Sequence, residues 1–151
     1  MLRTRLNDAL KDAMKAKDAT SISTLRLILA ALKDRDIAER TKGNGDGLGD
    51  ESILEMLQKM VRQRHDSIEM YTQGQREDLA NREAAEIEVI ERFLPKQMDE
   101  SDMRAAIESV ISELGAASVK DMGRVMGTLK ERYPGRMDFG KASGIVKEAL
   151  V

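Results

Sequence analysis

The chain has 151 residues, of which 41% are hydrophobic, 34% charged and only 3% aromatic, with a net charge of −2 and no cysteine. The missing thiols exclude disulfides, thiolate metal sites and cysteine nucleophiles, and the charge offers no global attraction to nucleic acid, so any such binding must be local. With Phe93, Phe139, Tyr71 and Tyr133 as the whole aromatic set, the core must be aliphatic, which suits helices because Ala and unbranched side chains lose little freedom there.

The first segment reads as a helix over 3–17, with Leu6, Ala9, Leu10, Ala13 and Met14 on one face at three- and four-residue spacing. Polar start signals at 18–21 open a second helix that runs to about Arg40. Its apolar set of Ile22, Leu25, Ile28, Leu29 and Leu32 is wide enough to imply burial on more than one side. Gly43, Gly45, Gly47 and Gly49 then read as a flexible connection. Asp50 is the expected N-cap of a long third helix to about Thr72, with Ile53, Leu57, Met60, Val61, Ile68 and Tyr71 inward. Gly74 breaks it, and a fourth helix carrying Leu79, Ala80, Ile87, Val89 and Ile90 follows to about Phe93. Pro95 disfavours helical geometry in the residue before it, so the domain boundary is set there.

This gives an all-α protein with an N-terminal, hairpin-type helical domain over 1–94 and a small C-terminal three-helix bundle over 95–151. In the second part, Asp99 or Ser101 starts a helix with Met103, Ala106, Ile107, Val110, Ile111 and Leu114 inward, closed by Gly115. Ser118 caps the next, with Val119, Met122, Val125, Met126 and Leu129 inward. Tyr133-Pro134-Gly135 turns the chain, and Asp138 caps a last helix that buries Phe139, Ala142, Ile145, Val146, Ala149 and Leu150. A bundle of about 50 residues is near the lower limit for independent stability, so it is expected to lean on the first part or on a partner.

Chemistry-bearing motifs are scarce. His65, the only histidine, sits mid-helix between Arg64 and Asp66 without a second ligand at metal spacing. The glycines of 43–49 lack the Gly-Lys-Ser/Thr ending of a phosphate loop and follow no strand. The carboxylates interleave with Lys and Arg at helical spacing, the pattern of surface ion pairs. No catalytic residue, metal ligand or cofactor is assigned. The N-terminal octet has no apolar run and no window is long enough to span a membrane, so a cytoplasmic protein without a membrane partner is expected.

One constellation stands out. Lys120, Gly123, Arg124 and Gly127 share a face of the sixth helix, opposite its apolar residues. A glycine inside a helix costs about 1 kcal/mol relative to alanine, so two of them one turn apart ask for a reason. Either another helix crosses closely there, or a nucleic-acid backbone does, flanked by cations. From 117 to 147 seven cations face three anions, a local excess of +4 in an acidic chain. Without aromatic platforms, shape recognition of a folded RNA fits better than base stacking.

The runs 25–33 (LRLILAALK), 63–68 (QRHDSI), 93–97 (FLPKQ) and 120–127 (KDMGRVMG), followed by 135–138 (GRMD), resemble the GatB/YqeY family, closest to its free-standing YqeY-like branch. The resemblance spans essentially the whole chain and implies an N-terminal helical part with a small C-terminal helical bundle. The same module forms the tail of the B subunit of the glutamine-dependent aminoacyl-tRNA amidotransferase, where it contributes to gripping tRNA. The resemblance implies Lys120, Gly123, Arg124, Gly127, Arg136 and Lys141 as the matching RNA-binding residues here, without fixing their individual roles. The catalytic portion of that subunit has no counterpart in the sequence, so carbon–nitrogen ligase activity with glutamine as amido donor attaches through the family name alone. The expectation is a non-catalytic accessory protein that binds tRNA or another structured RNA. The alternative is a helical interaction module that docks on a larger enzyme.

Overall fold

Seven α-helices and one 3-10 turn make up the computed structural model, which describes residues Met1–Val151 and contains no strand. The all-α class expected from composition and periodicity holds. Met1–Leu94 and Pro95–Val151 form two separate compact units.

The first unit contains α1 (Leu2–Ala16), α2 (Ala19–Thr41), α3 (Asp50–Gln73) and α4 (Glu77–Glu91). Asp18 caps α2, its carboxylate accepting the Ser21 N–H at 3.2 Å and the Ser21 hydroxyl at 2.6 Å. Leu6, Leu25, Ile28, Ile53, Leu57 and Ile90 bring all four helices to one core and are at most 2% exposed. α2 packs on α1, α3 and α4, which is why its buried stripe is wide. α3 and α4 form a hairpin in which Arg64 donates to Glu86 at 2.9 Å and to the Met60 carbonyl at 3.1 Å.

Several details depart from the sequence reading. Met14 is 50% exposed, because the inward face of α1 is centred on Leu2, Leu6 and Ala13. Gly49, not Asp50, is the N-cap of α3. The Asp50 carboxylate instead takes the Leu2 N–H at 3.3 Å and lies 3.6 Å from the N-terminal ammonium, joining the starts of α1 and α3. Ile68 and Tyr71 are only half-buried and lie outside the core cluster. Gly74 stands where α3 ends, but the left-handed backbone falls on Gln75, at φ 59°.

The glycine-rich connection is anchored at its far end. Arg3 forms a two-pronged pair with Asp36 and donates to the Leu48 carbonyl at 3.0 Å, while Asp36 also accepts the Leu48 N–H at 2.9 Å. Gly47 is buried at φ +79°, with the Asp36 carboxylate where a Cβ would stand, so only glycine fits. The Arg3 guanidinium, first by hydrogen bonding, holds the Asp36 carboxyl below the usual carboxylate range.

The second unit contains α5 (Glu100–Leu114), a 3-10 turn (Val119–Asp121), α6 (Met122–Arg132) and α7 (Phe139–Leu150). Asp99 and Asp102 form a reciprocal capping box at the start of α5, and Gly115 closes it at φ 63°. Ile107, Val110, Val125, Leu129, Ala142 and Val146 are fully buried between the three helices. Asp138 caps α7 by accepting the Gly140 and Lys141 N–H groups. Met137, just before that cap, is fully buried in the same cluster as Ala142, a hydrophobic staple that periodicity did not reveal. Val119, expected inward, is 47% exposed, and Ala149 is exposed as well.

Candidate nucleic-acid interface

The 3-10 turn decides how α6 presents its residues. Ser118 precedes it, and the Asp121 carboxylate accepts the N–H groups of Ala117 at 2.9 Å and Ser118 at 3.3 Å. Those bonds, ahead of the nearby Arg124 charge, hold the Asp121 carboxyl below its ordinary range. From this fixed start α6 turns Val125 and Leu129 into the core and leaves Gly123, Arg124 and Gly127 exposed on one face, while Lys120, expected on the same helix, is exposed on the 3-10 turn that precedes it.

A Cβ built at Gly123 or at Gly127 meets nothing within 4 Å beyond its own helix. No helix of the second unit therefore crosses there, and the glycines have no packing role within that unit. Lys120 makes no ion pair. Arg124 is 55% exposed but already engaged, 3.3 Å from Asp121 and 3.3 Å from the Leu114 carbonyl, where it closes the C-terminal end of α5.

The other two expected residues stand apart from this stripe. Arg136 follows the opposite end of α6, about 16 Å along the axis at helical rise, where its Nε donates to the Lys96 carbonyl at 3.3 Å. Its guanidinium lies over the Tyr133 ring at 5.8 Å. Lys141 lines a groove of ≈ 400 Å³ between α5 and α7, with Met98, Met103, Gly144 and Glu148 among its neighbours. Gly123, Arg124 and Gly127 thus share a face of α6, with Lys120 on the turn before it and Arg136 and Lys141 at other places of the unit.

Charge is divided sharply in this unit. Its nine cations and nine anions cancel, yet four carboxylates ride on α5 with Asp99 at its cap, and seven cations follow residue 117. Arg132 pairs with Glu113, and Arg104 with Glu100 and Glu148, whereas Lys120, Lys130, Lys141 and Lys147 make no ion pair. The sequence reading missed Gly144, where an added Cβ would also meet nothing within 4 Å. Gly140 and Gly144 repeat on α7 the spacing of Gly123 and Gly127 on α6, which was the available signal. No three His, Asp or Glu side chains converge as a metal site, His65 is exposed, and no helix is long and apolar enough to cross a membrane.

By fold and surface this is an all-helical protein whose second unit is a three-helix module with an open glycine-and-cation face. The chain belongs to the Yqey-like protein family, whose sequence model matches residues 3–150. It is similar to the protein named "Altered inheritance of mitochondria protein 41, mitochondrial" in three yeasts. In Lachancea thermotolerans the identity is 32% over 111 residues, 72% of this chain and 57% of the relative. In Candida glabrata it is 37% over 89 residues, 59% of this chain and 47% of the relative. The Saccharomyces cerevisiae protein is 33% identical over 89 residues, 59% of this chain and 46% of the relative. The chain thus spans about half the length of these curated relatives.

These names correct the cytoplasmic placement expected from the sequence, since the relatives are mitochondrial proteins by name. The expectation rested on the lack of an apolar N-terminal run. That criterion detects secretory signals and says nothing of organelle import, whose signals are amphipathic and Arg-rich.

Proposed function

We propose that the C-terminal unit binds structured RNA, with tRNA as the favoured class, through the exposed stripe of α6. The observation that carries this reading is the open pair Gly123 and Gly127 on α6, with the unpaired Lys120 on the turn that leads into that helix. A bare helix surface flanked by cations lets a phosphate backbone approach closely, and such contacts position a nucleic acid without reading its bases. The likeness of the C-terminal runs to the tail of the amidotransferase B subunit supports tRNA over other RNAs. Arg124 holds its guanidinium at the mouth of this stripe while closing α5, and Arg136 and Lys141 serve as outlying contacts for a ligand larger than the stripe itself.

The test is binding of the purified protein to total tRNA across a salt series, beside Lys120→Glu and Lys120→Glu/Arg124→Glu. The single variant is the cleaner of the two, because Arg124 also has a structural bond to the Leu114 carbonyl. Salt-sensitive binding that Lys120→Glu weakens supports the reading. Absence of binding even at low salt rejects it. The same open glycines also suit a seat for a helix of a larger enzyme, a second reading in which association holds or strengthens as salt rises.

A further inference from the structure

Only one side of α2 is used by the fold. Thr24, Leu25, Ile28 and Leu32 are buried against the rest of the first unit. On the opposite side run Ser23, Leu27, Ala30, Asp34, Ile37 and Thr41, every one of them exposed. Their spacing alternates between four and three residues, the a/d repeat of a coiled-coil seam. Leu27 is 49% and Ile37 52% exposed, among the few large apolar side chains left open. In a chain that is 34% charged, this seam carries a single charge, Asp34. The solvent side of a surface helix ordinarily collects charges across its width, so one whose middle is nearly uncharged and carries open aliphatic side chains, with its cations at one edge, is suited to being covered.

One flank of the seam identifies the cover. Arg26, Lys33 and Arg40 recur every seven residues, each immediately before a seam position, which are the g sites of the repeat. All three are exposed and none forms an ion pair, although the Arg40 charge adds to the lowering of the Asp36 carboxyl. The other flank turns toward the core, with Thr24 buried, Ala31 half-buried and only the uncharged Ala38 exposed.

We propose that this side of α2 docks an amphipathic helix of another protein whose apolar seam is flanked by carboxylates. A second copy of the same surface does not satisfy it. Antiparallel pairing sets the cation row against its own copy, and parallel pairing sets it against the core-facing, uncharged flank on which only Ala38 is exposed, so no carboxylate is supplied either way. An anionic bilayer fits poorly, because insertion would carry Asp34 into the acyl boundary with only Leu27 and Ile37 as large apolar side chains to offset it. Asp34 at a seam position fixes the register and calls for a Lys, Arg or Asn opposite it. Ser23 and Ala30 leave room for close approach of the partner's backbone.

The test uses the full chain and a fluorescein-labelled helical peptide of about four heptads, with Leu and Ala in the seam, one seam Lys and Glu on both flanks. A matched peptide carries Lys on the flanks instead. Wild type should prefer the Glu-flanked peptide by on the order of tenfold, since three flank pairs each contribute a factor of about two. Arg26→Glu/Lys33→Glu/Arg40→Glu should invert that preference, and Leu27→Ser/Ile37→Ser should abolish binding of both peptides. Circular dichroism should stay unchanged throughout, because these side chains are exposed. Retained tRNA binding by the triple variant supports a protein partner, whereas its loss reassigns the row to nucleic acid and overturns the proposal. Equal binding of the two peptides also overturns it, as does a self-dimer that Leu27→Ser disperses. Wild-type association with phosphatidylserine vesicles but with neither peptide has the same consequence.

Discussion

Gly123→Ala/Gly127→Ala is expected to make the protein more stable and a poorer RNA binder at once. An added methyl at either position has nothing within 4 Å to collide with, and neither residue has a left-handed backbone. Gly127 lies in the interior of α6, where alanine gains about 1 kcal/mol over glycine. Gly123 is the second residue of the helix, where the backbone is less firmly set, and about 0.5 kcal/mol is a reasonable share. A smaller unfolded-state entropy acts in the same direction. Together these give about 1.5 kcal/mol, or about 6–12 °C in Tm for a unit of this size. If a phosphate backbone seats against the bare helix, two intruding methyls cost about 1–3 kcal/mol, a loss of roughly 5- to 150-fold in affinity. Calorimetry reads the first effect and tRNA anisotropy the second. A variant that melts no higher than wild type contradicts the open geometry. One that melts higher and binds tRNA as before removes the RNA from this stripe.

Other substitutions probe the first unit. Thr24 is fully buried and its hydroxyl has no hydrogen-bond partner, so Thr24→Val should raise the urea midpoint by an amount equivalent to about 1 kcal/mol; a fall would show that the hydroxyl is satisfied. Gln75 holds a left-handed conformation at the α3–α4 turn, and Gln75→Gly should stabilise by roughly 1 kcal/mol in the same assay, with no gain if the turn relaxes another way. Asp36→Asn keeps an acceptor for the Leu48 N–H but loses the paired charge to Arg3, which should cost about 1–3 kcal/mol. Because the folded-state pKa of Asp36 lies below its unfolded value, that stabilisation is complete above about pH 4 and fades as pH falls through the folded value. The stabilities of wild type and Asp36→Asn should therefore converge in acid, and a constant gap across the titration would refute the pairing.

Helices and their ends were legible because the signals are local. The Asp99 box, Gly115 and Asp138 each act within a few residues of themselves, and the structure keeps all three. Val119 was misplaced because its 3-10 turn advances each residue further around the axis than an α-helix does, which rotates it away from the core side of α6. The clamp of Arg3, Asp36 and Leu48 was invisible, since it joins residues 33 and 12 positions apart and leaves no periodic trace. Within the candidate interface the same division holds. Gly123, Arg124 and Gly127 share a face because helical spacing places them so, whereas Lys120 falls in the 3-10 turn, whose different advance per residue the α-helical spacing did not reveal. Arg136 and Lys141 depend on how the Tyr133–Asp138 turn and α7 fold back, and tertiary structure put them at other grooves. Local charge could be counted from the sequence, but which lysines stay unpaired could not.

The most direct measurement is the slope of log affinity for tRNA against log salt for wild type and Lys120→Ala. If the α6 stripe holds the phosphate backbone, affinity falls steeply with salt and losing this cation makes the slope shallower by about one. An unchanged slope, or affinity indifferent to salt, contradicts an RNA-binding α6 stripe and leaves the open glycines as a seat for protein.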